Sequence, residues 1–259
     1  MSAKGAPVVR VEVLEPEDVF FFYRPRIDVA VPRGLDDVAR LYLALRARPD
    51  PRYRLLIVGE KRLPATTRDG DRRSWAFVER VGDRPEAVED ELDPERYVTK
   101  TRGERTVPAA RPAGEGVGAI VRHEDHTHLA YQLEMPDEPG EVQRALNVGP
   151  QGSYVVSVRN PDSPAPPGLG LDPRRRAGYP DELRARFRGR RFIPLDPPAF
   201  LDYEGAELVL IGASPDVGAE LGLRLDTERE TEATAEIFAD LGLERDLHPV
   251  EPLLRGQWA

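Results

Sequence analysis

Val117-Gly118-Ala119-Ile120-Val121-Arg122-His123-Glu124-Asp125-His126-Thr127-His128-Leu129-Ala130-Tyr131-Gln132-Leu133-Glu134 is the stretch on which the reading of this chain turns. Strand-like apolar flanks enclose a short polar centre, the pattern of a β-hairpin. With Glu124 and Asp125 at the tip, His123 stands opposite His126. Side chains alternate between the faces of a strand. Ile120, Leu129, Tyr131 and Leu133 therefore share one face. His123, His126 and His128 share the other, over Val117, Ala119, Val121 and Ala130. Cross-strand neighbours lie roughly 5 Å apart and same-face neighbours along a strand roughly 7 Å. Three imidazoles so placed can converge on one divalent ion, with Zn, Mn or Fe as candidates. Glu124 or Asp125 would then serve as a further ligand or as the general base on a metal-bound water. The plainer alternative is a solvated polar tip, and a one-residue slip would scatter the set.

The rest of the chain supplies exclusions. It has 259 residues, no cysteine and a fourth histidine only at His248. Absence of cysteine removes disulfide frameworks, thiolate zinc sites, iron–sulfur clusters and cysteine nucleophiles. A formal net charge of −9 argues against bulk affinity for nucleic acid or for an anionic membrane. No apolar run is long enough to span a bilayer, and the first residues lack an apolar signal core, so the expected location is cytoplasmic. No Gly-Lys pair exists for a phosphate-binding P-loop, and no G-x-S-x-G elbow for a serine hydrolase. His126-Thr127-His128 has the H-x-H core seen in cupins and JAMM-type metallopeptidases. The acidic partners fall at the wrong spacing, however: Glu134 lies six residues after His128 and Asp137 nine. Gly114-Glu115-Gly116-Val117-Gly118-Ala119 has the spacing of a dinucleotide fingerprint but opens a strand rather than a helix. It reads as a flexible entry into the hairpin.

The expected fold class is α/β, with mixed α+β as the alternative: a mixed sheet with a central β-hairpin and flanking helices. Val8 to Leu14, Tyr53 to Val58, Ser74 to Val81, Ser153 to Arg159 and Ala206 to Gly212 read as strands; Val19 to Tyr23 is the most apolar run and is expected to be buried, and Ile27 to Val31 continues extended. Gly34 to Arg48 reads as a helix, because Leu35, Val38, Tyr42 and Leu45 fall at helical spacing. Between its flanking strands it would form a parallel strand–helix–strand unit. Further helices are expected over Pro85 to Leu92, Gly140 to Asn147, Pro180 to Arg188, and from the Thr227-x-x-Glu230 capping box to Leu241. The chain is read as one domain over 1–259. Its weakest point is the Pro- and Gly-rich loop 160–173.

A second functional feature is basic. Eight arginines (Arg174, Arg175, Arg176, Arg184, Arg186, Arg188, Arg190 and Arg191) stand against three acids between 172 and 191, a net of +5. From Pro215 onward eleven acids stand against four arginines, a net of −7. Self-neutralisation between the two is the simplest use of both. Val250, Leu253, Leu254 and Trp258 make the tail apolar enough to dock.

Two functions follow. One is a divalent-metal-binding protein, a metal-dependent hydrolase for example, with His123, His126 and His128 as ligands and Glu124 or Asp125 in catalysis. The other is a non-catalytic binding or assembly protein. It would hold an anionic small molecule or protein on Arg174, Arg175, Arg176, Arg184, Arg188, Arg190 and Arg191, since guanidinium suits bidentate contact with carboxylate or phosphate.

Overall fold

A computed structural model describes residues 11–67, 73–164, 170–227 and 235–259. In chain order, β1 (Val11–Pro25), β2 (Val38–Ala47), β3 (Tyr53–Val58) and β4 (Arg73–Gly82) are followed by α1 (Glu86–Leu92). The two-stranded arm β5 (Glu95–Thr99) and β6 (Gly103–Val107) precedes β7 (Arg111–His123) and β8 (His126–Met135). Next come α2 (Glu141–Leu146), β9 (Gln151–Arg159), α3 (Asp181–Arg186), β10 (Phe192–Pro194) and β11 (Glu207–Ser214). Three short helices end the chain: α4 (Val217–Leu221), α5 (Ile237–Asp240) and α6 (Glu251–Arg255).

The α/β expectation is overturned. Eight strands, in the order β9-β11-β4-β3-β2-β1-β7-β8, close on themselves through a β8–β9 pairing into an antiparallel barrel. All pairings in it are antiparallel, so the parallel strand–helix–strand unit does not exist. Only a 3-10 turn at Leu35–Asp37 remains of the helix expected over 34–48; the residues after it form β2. The physical reason is that β2 is buried on both faces. Leu41, Leu43 and Leu45 point into the barrel beside Tyr23, Phe21 and Val19 of β1. Tyr42 and Ala44 point outward into a second core with Phe20, Phe22 and Leu55. A continuous apolar run satisfies helical and strand spacing alike. Closing the sheet also lets every strand pair on both edges. Of the C-terminal helix expected from Thr227, residues 228–234 lie outside the described residues, and Ile237–Asp240 is helical.

An eight-stranded barrel is just wide enough to be filled by its own side chains. Here the filling includes Phe21 edge-to-face on Tyr131, at 4.9 Å between ring centroids, and Tyr131 stacked against Tyr154 at 6.3 Å. The glycines of β7 let the neighbouring strands approach closely. A Cβ on Gly116 would sit 2.1 Å from the Gln132 carbonyl, and one on Gly118 2.5 Å from Val19. The glycine run is thus the body of a buried strand rather than a flexible entry.

Outside the barrel, α1, α5 and α6 cover β1, β2 and β3, while α4 covers Ala119, Val121 and Ala130. The ends are closed by chain as well. Tyr179, Leu183, Phe187, Phe200 and Leu201, all between β9 and β11, belong to the same buried cluster as the barrel interior. At the opposite end the tail docks, with Trp258 edge-to-face on Tyr23 at 5.2 Å and Leu253 buried. Among the described residues no helix is long and apolar enough to cross a membrane.

Candidate functional site: a cleft where the barrel wall divides

The hairpin has the register that alternation and the polar tip imply. His123 pairs with His126, Arg122 with Thr127, Val121 with His128 and Ile120 with Leu129. Glu124, at the tip, takes a left-handed conformation (φ 56°). The three histidines share the outer face but do not converge. His128 is 4 % exposed and its Nδ1 lies 2.9 Å from the Ser153 hydroxyl on β9. His126 is exposed, with Nδ1 2.5 Å from Asp125 Oδ1. His123 lies edge-on to His128, with 5.5 Å between centroids. Among the described residues no group of three or more His, Cys, Asp or Glu is placed to hold a metal ion. The metal-binding expectation is corrected on that ground: a shared face fixes where Cβ atoms sit, not where rings turn. Burial, reinforced by the neighbouring His123 and His126, lowers the His128 pKa from 6.5 to about 4. It is therefore a neutral imidazole at physiological pH.

A different feature gathers the tip and the arginines. On one edge of β9, β8 pairs only as far as His128 with Val155. Continued in register, Thr127 and His126 would face Val156 and Ser157. Those places are taken: Leu195 N–H donates to the Val156 carbonyl at 3.2 Å, and Pro194 pairs with Ser157. β8 must therefore leave β9 at the point where β10 joins it, and the wall divides. The division opens a cleft of 240 Å³ between the hairpin tip and the segment from α3 to β10.

One wall of the cleft carries Arg186, Arg188 and Arg190, all exposed. Their guanidinium groups have no ion-pair partner among the described residues. Leu183 and Phe187 anchor α3 by their burial, which leaves the alternate positions facing out. Arg188 ends the turn with φ 47°, and Gly189 follows at φ 75°, so the chain reverses and brings Arg190 back beside them. The facing wall carries Glu124, Asp125 and His126. Between the two, Arg122 is neutralised by Asp196, which accepts from Nε at 2.8 Å and lies 2.7 Å from Nη2, and by Glu12, which accepts from Nη1 at 2.6 Å. Thr127 also belongs to the lining; it is 0 % exposed, and its hydroxyl has no hydrogen-bond partner among the described residues.

The remaining arginines of the basic segment are elsewhere. Arg175 reaches Glu79 at 3.0 Å and Arg184 approaches Asp162 at 3.9 Å. Arg176 donates to the Leu171 and Pro161 carbonyls beside the buried Arg159–Glu207 pair. Arg174 is exposed, and Arg191 lies over the Phe192 ring at 5.7 Å. The partners of these arginines all precede residue 215, so among the described residues the segment does not neutralise the acidic C-terminal portion. Sequence reasoning counted Arg186 in the basic segment without assigning it to the site, and it missed Thr127, Arg122 and Asp196 altogether. No local signal could have found them, because the cleft follows from a register relation among β8, β9 and β10.

The site and fold define a closed antiparallel β-barrel with a mixed-charge cleft in its wall. No family model, curated protein or solved structure matches the chain.

Proposed function

We propose that this is a binding protein for a small anionic ligand, held in the cleft by Arg186, Arg188 and Arg190. The observation that carries the reading is three arginines, without carboxylate partners among the described residues, lining one concave site. Exposed arginines are ordinary; three on one wall of a cleft are arranged for convergent, charge-assisted hydrogen bonds to oxyanions. Formal charge agrees: with Arg122 matched by Asp196 and Glu12, three arginines line the cleft against Glu124 and Asp125, in a chain of net −9.

Calorimetric titration with pyrophosphate, at low and at physiological salt, tests this. The wild type binds with an affinity that weakens as salt rises, and Arg188→Ala and Arg190→Ala each lose tenfold or more. Equal binding by all three proteins, or none by the wild type, overturns the reading.

A further inference from the structure

Resting on that anion-binding reading, we propose that the ligand is zwitterionic: a phosphate monoester carrying an ammonium group a few bonds away. The cleft is bipolar rather than simply basic. Arg186, Arg188 and Arg190 line one wall, and Glu124 and Asp125 the other. Arg122 is already held by Asp196 and Glu12, so it offers the ligand no free charge. Glu124 has no ion-pair partner among the described residues. Asp125 engages His126 through Oδ1 alone. A plain anion drawn to the arginines is repelled across the cleft by two carboxylates, whereas a ligand with a cationic end meets opposite charge on both walls.

Charge matching selects the anionic end. A carboxylate offers two oxygens and a single charge, whereas a phosphate monoester dianion offers three terminal oxygens to three guanidinium groups. Size agrees. The 240 Å³ of the cleft is about eight times the volume share of one water, so a lone phosphate leaves part of it unfilled.

The experiment compares inorganic phosphate, ethyl phosphate and aminoethyl phosphate by calorimetry at pH 7.5 and fixed ionic strength. It uses the full chain, the Glu124→Gln variant and the Glu124→Gln, Asp125→Asn double variant, with melting temperatures as folding controls. The wild type is expected to bind aminoethyl phosphate at least tenfold more tightly than ethyl phosphate. That ratio should fall below threefold in the double variant, with Glu124→Gln between. A wild-type ratio near one, or a ratio that survives the double variant, overturns the zwitterion inference and leaves the anion reading standing. Failure of all three compounds to bind the wild type removes both.

Discussion

Two groups of arginine lie within this fold, and they differ in what surrounds them. At the barrel end where β3 begins, Arg54 points inward and is 2 % exposed. Its Nε donates to Asp202 at 2.8 Å, and its Nη1 donates to Glu15 at 2.5 Å and Glu17 at 2.9 Å. In the cleft, Arg186, Arg188 and Arg190 lie in the open with no carboxylate partner among the described residues. A guanidinium buried in a low-dielectric interior persists only when its charge and donors are matched. An exposed one is free to be matched by something else. The first group is therefore part of the folding problem, and the second is available for binding.

Removing the buried guanidinium gives the largest expected effect. Arg54→Ala leaves Glu15 and Asp202 without their cation and the buried Glu17 carboxyl without its donor, and should destabilise the protein by about 3–5 kcal/mol in urea unfolding. Retention of wild-type stability would mean that the cluster is hydrated and the contrast with the cleft false.

Glu17 sharpens the same side of the comparison. It is 0 % exposed, and burial drives its pKa well above 4.5, with Arg54 opposing and Glu15 adding to the rise. The folded state thus holds a proton that the unfolded chain releases, and this contribution makes stability fall as pH rises above 4.5. Glu17→Gln should flatten that fall. The difference between variant and wild type, followed by thermal melts across pH, is the measurement.

His128 has the opposite sign. Its pKa is lowered from 6.5 to about 4, so the unfolded chain takes up a proton that the folded protein excludes. Stability should drop by roughly 1–3 kcal/mol as pH falls from 6.5 to about 4. His128→Gln should remove that component, and a variant with unchanged acid sensitivity would contradict the assigned burial. Because the two slopes oppose each other, each is read from its own variant and not from the wild-type profile.

How much of this was legible in the sequence depends on the range of the cause. The hairpin was, because Ile120, Leu129 and Tyr131 alternate around a polar tip and a single phase sorts both faces. The strand β2 was not, because Leu41 to Leu45 is apolar at every position and only its two buried faces decide the conformation. The barrel itself depends on β8 meeting β9 and β4 meeting β11, pairings that leave no local mark. Composition exposed an arginine-rich segment, yet could not sort Arg175, tied to Glu79, from Arg188, which lines the cleft. Strand phase also brought three histidines to one face, but ring direction was set by Ser153 and Asp125, outside the reach of spacing.

The smallest expected effect on stability belongs to the cleft. Arg186→Ala, Arg188→Ala and Arg190→Ala should each change unfolding free energy by no more than about 0.5 kcal/mol, as exposed positions without partners do. A loss comparable to that of Arg54→Ala would place these arginines with the structural group.

The central claim, that unpaired arginines mark a binding site, is tested most directly by ligand-induced stabilisation. The melting temperature of the wild type and of the Arg186→Ala, Arg188→Ala, Arg190→Ala triple variant is followed in rising pyrophosphate at constant ionic strength. A ligand that binds only the folded state raises the melting temperature with concentration. The expected result is a saturable rise in the wild type and none in the triple variant, with the two proteins melting within a few degrees of each other when ligand is absent. Parallel curves for the two proteins would contradict the account.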